Sequence, residues 1–320
     1  MTSIDNQDFS RRPTLFGTIL VLLVILALYP LAGWLLSSIA TGGQPLESVL
    51  RDGSEPMLRR ILVAQGIGQI LVLGFPVFFL ASRHSGGSPF GRPTLRWLGV
   101  GMGGGVRPAL FGAFGMLLLQ PFLYSIEELQ SLLLPLLGEA GQALVQEQEH
   151  LDRFIRLLAG DGSPGSLFAS SLVFVLIPSI CEELLFRGYL QKSLALNIAP
   201  RRAVLFAGLV FALFHNELFN LLPLALLGWY IGYLYLKSGN LLVPAVAHGV
   251  NNLAALVLLH LGGDQMGHAG EMASSSSPIF LWPWWVLVVV SLFIFSLLIR
   301  YFPEKPASIH AEKSMPGGRL

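Results

Sequence analysis

Runs of about twenty apolar residues recur along this chain, and no other feature of the sequence limits its fold as strongly. A helix needs roughly 20 mostly apolar residues to cross a bilayer, and it survives there because it satisfies its own backbone polar groups. Eight stretches read as such spans: Leu15 to Ala40, Ile61 to Leu80, Trp97 to Tyr124, Leu167 to Phe186, Ala203 to Leu218, Leu222 to Leu236, Leu241 to Leu261 and Ile279 to Tyr301. Pro223 is the only firm punctuation between the fifth and the sixth. Leu15 to Ala40 follows Arg11-Arg12 as a secretory signal would. It exceeds the roughly 7–15 residues of a signal core, so it reads as a retained helix. The chain is 53% hydrophobic and 12% charged, against about 25% charged in a soluble domain. An ordinary soluble enzyme and a disordered chain are therefore excluded. A net charge of +1 gives no field to hold nucleic acid. The lone Cys181 excludes an internal disulfide and a thiolate metal cluster. The fold class is all-α, a polytopic integral membrane protein.

Charge sets the expected orientation. With an inside N-terminus, Arg11, Arg12, Arg83, Arg92, Arg96, Arg187, Lys192, Arg201, Arg202, Lys237, Arg300, Lys305, Lys313 and Arg319 fall on the cytoplasmic side. Arg51, Arg59, Arg60, Arg153 and Arg156 fall outside, and Arg107 lies within a span. That is fourteen inside against five outside, which predicts both termini in the cytoplasm, in the plasma membrane. The chain then divides into a cytoplasmic segment 1–14, an N-terminal membrane region 15–166, a core 167–261, an outer loop with the last span 262–301, and a disordered cytoplasmic tail 302–320. Residues 125–166 form the only long hydrophilic connection, on the outer side. Ser125 with Glu128 looks like a capping box that opens a short surface helix.

Several motifs mislead. Gly99-Val-Gly101-Met-Gly103-Gly104 matches a dinucleotide fingerprint, but it follows no strand and, with Gly105, opens a span. Close helix packing explains these glycines better. Glu147-x-x-His150 has the spacing of a di-iron ligand pair without a second copy. His84, His260, His268 and His310 have no ligand partner near in sequence and read as surface residues. Cys181 reads as a small buried residue rather than a nucleophile.

Ionisable groups inside a span are costly, and each is a functional candidate. Nearly all those of the C-terminal half fall on three spans, as Glu182-Glu183-Leu-Leu-Phe-Arg187, Phe211 to His215, and His248 to Asn252. Adjacent helical residues point about 100° apart, so Glu182 and Glu183 cannot share one task. Glu183 stands four before Arg187, the favoured order for a helical ion pair, so this pair is assigned to support and Glu182 to chemistry. A desolvated carboxyl makes a useful general base. His248 and Asn252 share a helix face and can donate to an oxyanion. His215 can orient a water with Glu182 or bind a metal. Counted at about 1.5 Å per residue, all four reach one inner-half cavity if their spans are neighbours. A transporter with a buried Glu/His relay is the competing class, though it lacks the internal symmetry common there.

The three motifs in this order resemble the CPBP family, which comprises CAAX prenyl endopeptidases of the Ras-converting type and bacterial relatives, some linked to bacteriocin immunity. The resemblance runs from about Leu167 to Leu261. It implies a helical bundle with a conical intramembrane cavity that cleaves a peptide bond of a membrane-associated protein or peptide. It also implies that Glu182 and His215 activate water while His248 and Asn252 stabilise the oxyanion. The family is described both as metalloproteases and as metal-free glutamate proteases. The cofactor is thus either none or a divalent metal such as zinc on Glu182, His215 and His248. The residues lean toward the metal-free form. A non-catalytic immunity or binding protein of the same fold is the other alternative.

Overall fold

The computed structural model describes residues 12–45, 48–49, 54–101, 105–261 and 278–303. Arg11, Arg51, Lys305, Lys313 and Arg319 of the charge tally lie outside the described residues, as do Gly103, Gly104, His268, His310 and most of the tail. The described residues form helices α1 (Leu15–Thr41), α2 (Glu55–Ser85), α3 (Arg92–Leu98), α4 (Val106–Leu133), α5 (Glu139–Ala159), α6 (Pro164–Ala195), α7 (Pro200–Phe214), α8 (Leu221–Ser238), α9 (Leu242–Leu261) and α10 (Trp282–Arg300). Six of them, α1, α2, α4 (continued by a 3₁₀ turn to Leu137), α6, α9 and α10, are long and apolar enough to cross a membrane. The chain is a polytopic membrane protein.

Local chemistry explains the helix ends. Thr14 caps α1 by accepting a hydrogen bond from the Gly17 amide at 3.1 Å. Gly42, at φ 64°, stops the helix in the left-handed conformation that a side chain would resist. α1 and α10 turn Phe16, Trp34, Val289 and Phe293 outward, as helices bordering lipid must. Trp282 and Trp285 gather at one end of α10, where amphipathic rings favour the membrane interface.

Three expectations are corrected. The glycine run does not open a helix: α3 ends at Gly99, at φ 85°, and Gly105 precedes α4. The glycines do serve close approach, but to backbone in a turn, where Gly99 accepts from the Leu241 amide at 3.0 Å. Ser125 starts no helix either. It lies within α4, donates to Pro121 O at 2.8 Å and accepts from Trp284 Nε1 at 2.8 Å. The hydrophilic connection is instead carried mainly by α5, a 21-residue amphipathic helix. Third, α7 is shorter than the fifth expected span. Its 15 residues rise about 22 Å, less than a hydrocarbon core of about 30 Å. Irregular backbone follows, with Asn216 at φ 55°. Such backbone is tolerated at membrane depth only where protein buries it or a cavity lines it.

Contacts sort the helix ends into two rims. On one, Asn197 donates to Pro13 O at 2.9 Å, Lys192 donates to Trp97 O, and Tyr235 donates to Leu98 O at 3.1 Å. His84 stacks on Trp97 there, so it belongs to an aromatic cluster rather than to open surface. On the other rim, Gln130 donates to Phe219 O at 2.6 Å, Asn220 to Gln148 Oε1 at 3.1 Å, and Arg156 to Leu259 O at 2.9 Å. α5 thus lies against the turn that follows α7. His260 is on this rim, half-buried, its Nδ1–H donating to Leu256 O at 2.9 Å.

Candidate active site

α6 brings both glutamates to the point where its α-helical turns give way to a π-helical segment, Leu184–Gln191. Such π turns are common at functional sites because they re-aim side chains. Glu183 turns into the protein. Its Oε1 accepts from Arg187 Nη1 at 2.8 Å and from His248 Nδ1 at 2.9 Å. Arg187 also donates to Gly228 O at 3.2 Å and lies 4.5 Å over the Phe211 ring. Glu183 and Arg187 are fully buried. The expected ion pair is present, shut away from solvent. Burial of two charges is tolerable because each is matched by the other and by further hydrogen bonds.

Glu182 turns the other way. Its Oε2 stands 3.9 Å from His215 Nε2 and 4.0 Å from His248 Nε2. Both separations exceed a direct hydrogen bond, and this oxygen is buried without a protein partner. Each imidazole is fixed through its other nitrogen. His215 Nδ1–H donates to Phe211 O at 2.8 Å, and His248 Nδ1–H donates to the Glu183 carboxylate. Both Nε2 atoms therefore face Glu182. Phe211 holds the two rings apart edge-on, with centroids 4.7 Å from His215 and 5.7 Å from His248. The His215 side chain is 24% exposed against 8% for Glu182 and 3% for His248, so His215 is the most accessible of the three.

Asn252 is placed differently. Its amide donates to Phe174 O at 3.0 Å, a carbonyl within the π turn Ser171–Leu176, and its Oδ1 accepts from Asn251 at 3.2 Å. Asn251 in turn accepts from Gln120 Nε2 of α4 at 3.1 Å. One amide hydrogen of Asn252 thus anchors α9 to α6, which leaves one for other work. The structure brings together Glu182, His215 and His248, and it sets Asn252 in an adjoining amide ladder.

Two of these relationships are invisible at sequence level. Glu183 is the hydrogen-bond partner of His248, and Gln120 from outside the three motifs steadies Asn251. Both join residues far apart in the chain. The only available signal for Gln120 was a lone amide inside an apolar span.

Zinc held by three such ligands at about 2.0–2.1 Å requires ligand atoms about 3.3 Å apart. Glu182 Oε2 stands 3.9 and 4.0 Å from the two imidazole nitrogens. Among the described residues no group of three or more His, Cys, Asp or Glu side chains is arranged to hold a metal ion. The donor set as it stands does not fit zinc. Glu147 and His150 lie on α5, where His150 Nδ1 meets Arg153 Nη2 at 3.3 Å.

A groove of about 720 Å³ runs between α1 and α2, lined by Ile25, Leu28, Phe75, Phe79 and Arg83 among others, and does not include the three converging side chains.

Residues 164–254 match the family model described as Rce1-like, type II CAAX prenyl endopeptidase Rce1-like. The matched segment contains Glu182, Glu183, Arg187, His215, His248 and Asn252. No curated protein and no solved structure matches the chain.

Proposed function

We propose that the chain is an intramembrane endopeptidase that hydrolyses a peptide bond of a membrane-associated protein or peptide without a metal. The observation that carries this reading is the convergence of two imidazole Nε2 atoms on the unpartnered Oε2 of Glu182, at 3.9 and 4.0 Å. The Rce1-like match over residues 164–254 supports the peptidase class.

A water that hydrogen-bonds both Glu182 Oε2 and His215 Nε2 at about 2.8 Å subtends about 90° between them. Its oxygen attacks the scissile carbonyl carbon, and its proton passes to Glu182. The carbonyl oxygen becomes an oxyanion. His248 donates to it from Nε2 when the ring carries both protons, and Asn252 supplies its remaining amide hydrogen. Glu182 then gives its proton to the leaving nitrogen as the C–N bond breaks, which yields an acid and an amine. A positioned general base contributes about 10²–10⁴ in rate.

Purified protein in lipid nanodiscs, offered a panel of membrane-anchored and lipidated peptides, is expected to cleave at least one of them with or without chelator. Cleavage of none would overturn the reading in favour of a binding role. The two rims support an orientation with both termini in the cytoplasm. A reporter fused at Ser193 should then report the cytoplasm and one at Glu147 the outside, and the same side for both would refute it.

A further inference from the structure

α1 and α2 lie against each other at one end and part toward the other. α1 packs along Glu55–Gln69, where a Cβ on Gly68 would stand 3.2 Å from Leu36 Cδ1, and its backbone draws away from Phe75–Ser85. Features that bend helices lie at this level in both. α1 contains Pro30, and α2 has the π turn Ile70–Gly74 followed by Pro76. The groove of about 720 Å³ occupies the gap between them. Every residue that lines it is apolar except Arg83, in the last turn of α2. From Leu71 to Arg83 the lining rises about 18 Å. That is slightly more than half of a hydrocarbon core of about 30 Å, the depth of one leaflet. Helices in lipid are held by van der Waals packing, and a gap without partner atoms forfeits it. An extended hydrocarbon chain lying between Val24, Leu28 and Phe79 restores those contacts.

The mouth of the groove is at headgroup level. Arg83 is exposed. The next residue, His84, stacks on Trp97, which lies beside Tyr189, and such rings collect at a membrane interface. On this rim, residues 12–15, 83–101, 192–202 and 236–242 carry Arg or Lys at eight positions and no Asp or Glu. A counter-charge for Arg83 must therefore come from outside these segments. A guanidinium takes phosphate through two parallel N–H···O bonds. Anionic lipid is the source of phosphate that a cationic membrane rim meets.

We infer that the α1–α2 groove binds one anionic phospholipid of the leaflet on this rim, with an acyl chain between α1 and Phe75–Ser85 and the phosphate on Arg83. The lipid completes the packing of α1 on α2. Its site does not include the three converging side chains, and it stands whether or not the peptidase reading does.

The test uses the full chain in nanodiscs of phosphatidylcholine, with or without phosphatidylglycerol. Native mass spectrometry after release into detergent counts the lipid retained per folded chain. Wild type is expected to retain one phosphatidylglycerol and to unfold at a higher temperature in its presence. Arg83→Gln should weaken retention by at least about fivefold, the worth of one cation at an anionic surface. Val24→Trp fills the groove with Arg83 in place, and should remove both the retained lipid and the thermal gain. Leu28→Trp, on the same wall, repeats that arm. All three positions are exposed, so unfolding in phosphatidylcholine alone should be unchanged. Arg92→Gln removes a cation of the same rim that does not line the groove, and should retain lipid as wild type does. Equal losses in Arg83→Gln and Arg92→Gln would mean diffuse attraction and overturn the inference. Undiminished retention in both tryptophan variants, or phosphatidylcholine held as tightly as phosphatidylglycerol, would overturn it as well. Displacement of the retained lipid by a lipidated peptide would assign the groove to a substrate chain and also overturn it.

Discussion

Glu183 Oε1 and His248 Nδ1, 65 positions apart, are joined by a 2.9 Å hydrogen bond in a site where both side chains are buried. A carboxylate has no proton to give, so this bond fixes the imidazole proton on Nδ1 and points Nε2 at Glu182. Glu183 is therefore more than the partner of Arg187. It is the positioning residue of the neighbouring histidine.

Glu183→Gln should then damage fold and rate together. It leaves Arg187 as a buried charge without its counter-ion, a change that typically costs about 3–5 kcal/mol. It also loosens the tautomer and orientation of His248. A lower unfolding temperature is expected, with reduced cleavage per folded molecule in what survives. Unchanged stability with full activity would deny Glu183 both roles.

Glu182→Gln should behave in the opposite way. Glu182 Oε2 has no protein hydrogen bond to lose, so the fold is expected to survive with little change in unfolding temperature. The amide cannot accept a proton from water, and cleavage should fall by about 10²–10⁴. Full activity in this variant would remove Glu182 from the reaction.

Sequence pattern reached the helices and the polar constellation because both rest on local rules. Length and apolarity placed Leu15 to Ala40 within a residue of the helix Leu15–Thr41, and i,i+4 spacing announced the Glu183–Arg187 pair. What escaped it depends on contacts across the bundle. The expected span ran through Leu218, although His215-Asn216-Glu217 interrupt its apolar pattern. α7 stops at Phe214, and the turn beyond it is tied to α5 by the Asn220–Gln148 hydrogen bond, which sequence cannot show. The glycine run looked helical because spacing cannot distinguish a helix face from a turn. Likewise, two equal-looking glutamates were separable by angle, but the partner of the second lay on another helix.

The close crossing of α7 and α8 should be sensitive to size. A Cβ on Gly208 would lie 2.9 Å from Gly228 C, and one on Gly228 would lie 2.8 Å from Gly208 O. Backbone blocks both, and at Gly208 the Trp229 side chain stands closer still. Gly228 also offers its carbonyl to Arg187. Gly228→Val should therefore force the helices apart, weaken that bond and lower the unfolding temperature, while Gly165→Ala, with open space around it, should not. Equal stability of the two variants would contradict the packing argument.

Chelation should leave cleavage intact. The 3.9 and 4.0 Å separations about Glu182 Oε2 suit a bridging water better than a shared zinc ion. Active protein is expected to show no stoichiometric zinc by elemental analysis. Zinc present at one per chain, and lost together with activity on chelation, would require the metal mechanism.

The link between α5 and the turn after α7 should respond to pH through Asp152. Gln148 donates to Asp152 Oδ1 at 2.9 Å and accepts from Asn220, which also donates to Glu217 Oε2 at 3.0 Å. This chain of bonds ties α5 to the turn after His215. Burial raises the Asp152 pKa above its ordinary 3.8, with Glu217 and Glu149 adding to the rise and Gln148 and Arg156 opposing it. A raised carboxyl favours the folded state when protonated. Its penalty is absent below the unfolded value, grows as pH climbs toward the folded value, and is complete above it. Asp152→Asn keeps an oxygen for Gln148 and removes the charge. Thermal unfolding from pH 3 to pH 8 should show the variant more stable than wild type at pH 8, with the difference closing toward pH 3. A variant less stable at pH 8 would mean that the Asp152 charge holds α5 in place rather than straining it.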